Sequence, residues 1–192
     1  QAKESLLVLN GFKDREFIQL AFAGTTAGKR VVIVIEKMSE LDHTLDIAEK
    51  LSSENPDAEM PMLGVRVKLY SKGSGKWEKS GGEAAKFGLT TTEILEVIRR
   101  LQEAGRIDML KLLHFHIGSQ LTDIKRIKNA MKEAASTYAK IQKMKIPIEY
   151  LDVGGGMAVD DDGSRTSFEA SATYNAREFA NAVIYVNKTA CD

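Results

Sequence analysis

Cysteine is nearly absent from this sequence of 192 residues: Cys191 is the only one, so no disulfide can form within the chain. This scarcity is typical of a reducing compartment, and we expect a cytoplasmic protein. Net charge is absent as well, because 27 Lys and Arg balance 27 Asp and Glu. Nucleic-acid surfaces and polybasic membrane anchors depend on excess positive charge, so we expect neither nucleic acid nor a membrane as a partner.

Long hydrophobic runs are missing too. No stretch approaches the roughly 18 apolar residues that a membrane-spanning helix needs. Hydrophobic residues nevertheless make up 43% of the chain. That fraction is enough for a packed core and too high for a disordered protein, so the composition predicts a folded globular chain.

Short apolar runs and amphipathic stretches alternate along the chain. Each apolar run is rich in Val, Ile or Leu and has the length of a β-strand. The five runs are Leu6–Leu9, Val31–Ile35, Leu63–Leu69, Leu110–Phe115 and Ile148–Val153. Apolar residues spaced by three and four predict helices over residues 14–23, 41–51, 94–101, 124–141 and 174–189.

This βα alternation predicts an α/β fold with parallel strands joined by helical crossovers. Two architectures compete, an open doubly wound sheet and a TIM-type (β/α)8 barrel. Five units in 192 residues amount to about 38 residues each, so a closed barrel would need about 300 residues. If the chain is barrel sequence, we expect about five βα units of an incomplete barrel.

Polar residues follow the predicted strands, at the sheet edge where parallel α/β proteins place their active sites. The sharpest of these features is the run Gly154, Gly155 and Gly156. Successive glycines let backbone N–H groups approach an anion because no Cβ stands in the way. The run is therefore either a phosphate cradle or a tight turn that leaves the strand.

Two of the three histidines, His114 and His116, lie two residues apart in a predicted strand and would point to the same face. Three interpretations remain open for them. They could bind a metal with Asp or Glu as further ligands, which would suit a metal-dependent barrel hydrolase. They could contact a flat cofactor or a substrate, or they could be structural.

Six segments resemble one enzyme family, the biosynthetic arginine decarboxylases. The segments are NGFKDREFIQLA, VIEKMSEL, LGVRVKL, GSGKWEKSGGEAAKFGL, LLHFHIGSQL and LDVGGGMAVDDDGSR. These enzymes use pyridoxal 5′-phosphate (PLP), have an alanine-racemase-like barrel, and are related to ornithine and diaminopimelate decarboxylases. The resemblance runs from about Leu6 to Asp192.

The resemblance implies roles for individual residues. His116 would stack on the pyridine ring as a catalytic residue, and Ser119 would bond to the phosphate side of PLP. The three glycines would give backbone N–H groups to the phosphate. Arg66 and Lys86 would lie near the cofactor and a subunit interface.

A longer segment would border the substrate, with Asp161 where the family pattern leads us to expect an aromatic residue. Its members are Leu151, Asp152, Val153, Gly154, Gly155, Gly156, Met157, Ala158, Val159, Asp160 and Asp161. No residue is expected to bind a metal directly, although the parent enzyme could use Mg²⁺.

The resemblance also implies that the 192 residues form one segment of the barrel, about strands two to six, without the C-terminal β domain. The lysine that binds PLP covalently and the acidic partner of the pyridine nitrogen would lie outside the sequence. We therefore expect a parent enzyme, a homo-oligomer, that converts L-arginine to agmatine and CO₂ for polyamine synthesis. The segment alone would be inactive. A non-catalytic module that binds PLP or phosphate is the other alternative.

Overall fold

A computed structural model describes residues 5–69, 87–119, 121–158 and 174–191. Five strands alternate with five helices in these residues. The strands are β1 (Leu6–Leu9), β2 (Arg30–Ile35), β3 (Met62–Arg66), β4 (Leu110–His114) and β5 (Tyr150–Asp152). The helices are α1 (Arg15–Thr26), α2 (Met38–Glu54), α3 (Thr91–Glu103), α4 (Ile124–Lys143) and α5 (Ala176–Cys191). All five predicted strands and all five predicted helices are present, with ends that shift by a few residues.

The strands form one sheet in the order β1-β2-β3-β4-β5. The pairs from β1 to β4 are parallel, with Leu6 opposite Arg30 and Val32 opposite Met62. Each strand therefore lies beside its successor in the chain. An open doubly wound sheet reverses its strand order at a switch point, whereas a barrel adds strands in sequence. The order accordingly favours the barrel.

The strands are built mainly from apolar residues. All residues of β2 from Val31 to Ile35 are buried, which is typical of a parallel strand covered on both faces. A Cβ added at Gly64 would lie 2.8 Å from the side chain of Leu112 on the neighbouring strand. Glycine at this position therefore lets the larger leucine occupy the shared space.

Side-chain caps begin two of the helices. The Asp14 carboxylate accepts the N–H of Phe17 at 2.8 Å and begins α1. Thr90 and Glu93 form a reciprocal capping box at α3, where Glu93 accepts the Thr90 N–H at 2.7 Å. These bonds satisfy N–H groups that the first helical turn leaves without partners.

The described residues fall into two compact units. The first contains the residues up to Val67 together with Phe87–His114 and Ile146–Leu151, and therefore holds α1, α2 and α3. The second contains the other described residues, and in it α4 packs against α5. No helix among the described residues is long and apolar enough to cross a membrane.

Candidate cofactor site

In the first unit, the carboxylate of Glu36 joins the carboxyl ends of three strands. Glu36 directly follows β2 and is 2% exposed. It accepts the N–H of Gly11, after β1, at 2.5 Å, and it pairs with Arg66, at the end of β3, at 2.9 Å. A buried carboxylate needs such partners, because an unpaired charge in the interior is strongly unfavourable. Glu36 therefore fixes the orientation of Arg66.

A second buried ion pair stands beside the first. Lys13 Nζ lies 3.3 Å from Glu40 Oε2, and both side chains are buried. The Glu40 carboxylate also accepts the N–H of Lys13 at 3.1 Å and that of Glu36 at 2.7 Å. Burial lowers the pKa of Lys13 below its ordinary value of 10.5, against the opposing attraction of Glu40 and Glu36. No sequence pattern had marked Glu40 as part of this group.

Two aromatic rings border these charges. The ammonium of Lys37 lies 4.8 Å from the ring centre of Phe12 and 5.6 Å from that of Phe87. The guanidinium of Arg66 lies 5.9 Å from the Phe87 ring. Phe12 is 62% exposed, so this cation–π group is at the surface of the unit.

In the second unit, the glycine run after β5 is held against the loop that follows β4. Gly154 has φ +68° and Gly156 has φ +107°, conformations that L residues rarely adopt. A Cβ at Gly154 would lie 2.7 Å from the Phe115 carbonyl oxygen, and a Cβ at Gly156 would overlap with the Gly118 carbonyl oxygen. The tight-turn interpretation therefore explains two of the three glycines.

Gly155 has a different environment. A Cβ added there would meet no atom within 4 Å, and its φ lies outside the left-handed region, so neither crowding nor strain requires glycine. The Gly154 N–H donates to Asp152 Oδ1 at 2.8 Å. Within the described part of the chain, the N–H groups of Gly155 and Gly156 have no acceptor. Two adjacent free donors, one of them at the uncrowded Gly155, are what a phosphate site requires.

Leu121 and Tyr174 hold this loop arrangement together. Leu121 donates its N–H to the Gly156 carbonyl at 3.0 Å. The Tyr174 hydroxyl donates to the Leu121 carbonyl at 2.5 Å and accepts the Ala158 N–H at 3.2 Å. Tyr174 was not among the predicted site residues, although a tyrosine before a helix cap could have marked it.

His114 and His116 lie in different elements, whereas the prediction placed both on one strand. β4 ends at His114, so His116 lies in the following loop and not in the strand. His114 is 2% exposed, whereas His116 and Ser119 are exposed. The premise of two histidines on one strand face was therefore wrong, because the strand ends between them. In the described ranges, no three His, Cys, Asp or Glu side chains are grouped as a metal site.

The other predicted site residues divide into two groups. Leu151, Asp152, Val153, Met157 and Ala158 lie on β5 and directly after it, and Met157 is 39% exposed. Lys86, Val159, Asp160 and Asp161 lie outside the described residues.

The residues present fit the phosphate group of PLP. Gly155 and Gly156 supply two free donors, and the imidazole Nδ1 of His116 lies 2.9 Å from the position of a Cβ at Gly154. A flat, exposed ring beside an anion site is what a pyridine ring with a phosphate arm would require.

Comparison with known proteins identifies the family. The family described as pyridoxal-dependent decarboxylase, pyridoxal binding domain, matches residues 2–189. The biosynthetic arginine decarboxylases of Proteus mirabilis and Deinococcus radiodurans are 47% and 50% identical over 188 residues. These alignments cover 98% of this chain but 29% and 28% of the two relatives. The chain thus spans less than a third of their length.

Solved structures of decarboxylases have the same fold as this chain. The biosynthetic arginine decarboxylase of Campylobacter jejuni has a TM-score of 0.83 and 33% identity, covering 98% of this chain and 29% of that one. A diaminopimelate decarboxylase of Helicobacter pylori shares the fold, with a TM-score of 0.72 at 21% identity, and covers 95% and 42% of the two chains. The predicted fold class, about five βα units of a TIM-type barrel, is confirmed. The chain belongs to the family of pyridoxal-binding domains of pyridoxal-dependent decarboxylases.

Proposed function

We propose that these residues hold PLP in an enzyme that converts L-arginine to agmatine and CO₂. The observation that carries the proposal is the pair of free N–H groups at Gly155 and Gly156, beside the exposed His116. The substrate is proposed from the relatives, since those of 46% to 50% identity are named biosynthetic arginine decarboxylases.

The roles of the glycines are unequal in this proposal. Gly155 and Gly156 bind the phosphate through their N–H groups. Gly154 contributes shape, because its own N–H is bonded to Asp152 and a Cβ there would collide with Phe115. This division refines the sequence-based expectation that all three N–H groups serve the phosphate.

Side chains complete the proposed site. The imidazole of His116 would stack on the pyridine ring, and the Ser119 hydroxyl would bond to the phosphate. Arg66, which Glu36 holds at 2.9 Å, and Lys86 are the residues that we propose would contribute positive charge to cofactor binding. The segment from Leu151 to Asp161 borders the substrate. When bound, PLP takes up the electron pair that departing CO₂ leaves on the substrate.

The properties of the complete enzyme are also part of the proposal. We expect a homo-oligomer in the cytoplasm that supplies agmatine for polyamine synthesis, and a Mg²⁺ requirement stays a prediction. The 192 residues alone should be inactive, because they span less than a third of the relatives' length. The metal-dependent hydrolase has no support from the described side chains.

A chimera tests the proposed activity. These residues would replace the matching 188 residues of the Escherichia coli biosynthetic arginine decarboxylase, which is 46% identical. We expect CO₂ release from L-arginine within about tenfold of the parent enzyme, with ornithine and diaminopimelate much poorer substrates. Preference for either of those amino acids, or a chimera that binds PLP without arginine turnover, would contradict the proposal.

Two variants of the chimera test the site itself. His116→Ala should weaken PLP binding, followed by the cofactor's absorbance, and should lower kcat by about a hundredfold because the ring loses its orientation. His43→Ala, on α2 in the first unit, is the matched control and should leave both quantities unchanged. Equal effects of the two variants would exclude a specific role for His116.

A further inference from the structure

Helix α4 carries five exposed lysines on one side, which we name the α4 lysine face. Its members are Lys125, Lys128, Lys132, Lys140 and Lys143. At 100° per residue they lie within about 120° of the helix circumference. The face extends over about 27 Å, the length of eighteen residues of helix.

The α4 lysine face is uncompensated. In the described ranges, none of its five lysines forms an ion pair, and α4 contains one acidic residue, Glu133. Helix α3 is different, because Arg99 pairs with Glu96 and Glu103. Like charges three or four residues apart destabilise a helix. A chain whose net charge is zero has therefore concentrated unpaired positive charge on one helix.

Two clefts lie between α4 and α5, beside this face. The first, of about 410 Å³, is lined by Ile124, Lys128, Ala182 and Tyr185, with Glu178 also on its wall. Tyr185 is 70% exposed and offers a flat apolar surface with a polar tip. The first cleft therefore combines an apolar floor with one cation of the lysine face.

The second cleft has a similar volume, about 400 Å³, and a more basic wall. It is lined by Lys132, Ser136, Lys140, Lys143 and Val186. About twelve residues of α4 separate the centres of the two clefts, which corresponds to about 18 Å. Both clefts therefore pair apolar anchoring positions with cations at a separation that a helix of four to five turns can span.

We propose that the α4 lysine face binds an acidic amphipathic helix of a partner protein. Carboxylates of the partner lie against the lysines, and two apolar side chains about 18 Å apart enter the clefts. Helix-in-groove recognition uses such spaced anchors. A nucleic acid fits less well, because separate clefts serve discrete side chains and the neutral chain offers no long-range attraction to a polyanion. The inference is independent of the proposed decarboxylase activity.

A designed peptide tests the proposal. The probe is a fluorescent helical peptide of about 20 residues, with glutamates along one side and two leucines eleven positions apart, which places both leucines on the same side at a separation of about 17 Å. Fluorescence anisotropy with the 192-residue chain should give a Kd at least about tenfold lower than that of the same peptide with glutamine for glutamate. The difference should shrink as salt is added, because exposed charges are screened.

Charge reversal locates the binding surface. The double variant Lys132→Glu with Lys140→Glu should weaken peptide binding by at least about tenfold, and Lys132→Ala with Lys140→Ala by less. Lys29→Glu is the control, because Lys29 is exposed in the first unit and has no ion pair among the described residues. Far-UV circular dichroism confirms that each variant is folded.

Four results would overturn the proposal. The first is equal affinity for the glutamate and glutamine peptides, and the second is unchanged affinity in both double variants. The third is displacement of the peptide by a lower concentration of an oligodeoxythymidine of equal charge, and the fourth is a dimer of the chain that only the charge reversal dissociates. The third result would assign the face to nucleic acid, and the fourth to a second copy of the chain.

Discussion

The guanidinium of Arg66 lies 2.9 Å from the carboxylate of Glu36, and this pair joins the carboxyl ends of two neighbouring strands. Arg66 is the charge that the family resemblance places near the cofactor. Its side chain is 17% exposed and that of Glu36 is 0% exposed, so water screens the pair weakly. The orientation of the arginine depends on a carboxylate that solvent does not reach.

Glu36→Gln should therefore destabilise the fold. The substitution leaves Arg66 charged and without its carboxylate, and we expect the free energy of unfolding to fall by about 2–4 kcal/mol. Urea denaturation measures this change. Asp46→Asn is the matched control, because its pair with Arg15 is exposed and should contribute under about 1 kcal/mol. Equal losses in the two variants would show that burial does not strengthen the Glu36 pair.

The buried Lys13 predicts a pH dependence of stability. Burial lowers the pKa of Lys13 in the folded chain below 10.5, so above that lowered value the unfolded chain holds more protons. The free energy of unfolding should consequently rise with pH between the lowered pKa and 10.5, and this contribution should be constant at lower pH. Urea titrations of the wild type and of Lys13→Met in this range isolate it. If the free energy of unfolding rose no more steeply with pH in the wild type than in Lys13→Met, the lowered pKa would be contradicted.

The geometry of the glycine run predicts that alanine substitutions at two adjacent positions change stability by very different amounts. Gly156→Ala places a Cβ against the Gly118 carbonyl at a positive φ, and we expect a loss of about 2–4 kcal/mol in the free energy of unfolding. Gly155→Ala meets no atom and should change it by under about 0.5 kcal/mol. Denaturant midpoints of the two variants test the difference, and a more harmful Gly155→Ala would refute the described loop geometry.

Tyr174→Phe tests the connection that supports the glycine run. The variant removes the hydroxyl that donates to Leu121 and accepts from Ala158. Because a buried carbonyl is left without its donor, we expect a loss of about 1–3 kcal/mol. Amide hydrogen exchange at Ala158 should also become faster. Tyr185→Phe, on an exposed side chain of α5, is the control and should leave both quantities unchanged.

Much of the fold could be predicted because its determinants are local. The runs of Val, Ile and Leu and the apolar spacings of three and four residues act over short stretches, and each produced the expected strand or helix. The strand order is different, because the alternation of strands and helices fits both a doubly wound sheet and a barrel, and only the observed order distinguishes them.

The parts of the site that escaped prediction depend on partners distant in sequence. Lys13 and Glu40 are 27 residues apart, and Tyr174 reaches Leu121 across 53 residues. Only the placement of His116 on a strand face was wrong, because β4 ends at His114 and His116 lies in the loop that follows. Periodicity does not determine such boundaries.

In the proposed site, the free N–H groups of Gly155 and Gly156 bind the phosphate of a pyridoxal cofactor. The most direct measurement is the amide chemical shift of these glycines during titration with pyridoxamine 5′-phosphate, which forms no covalent adduct with lysine, and with pyridoxamine as control. We predict saturable shifts at Gly155 and Gly156 with the phosphorylated compound alone, and a smaller shift at Gly154, whose N–H is bonded to Asp152. Unchanged glycine amides, or equal responses to both compounds, would show that these N–H groups do not bind the phosphate.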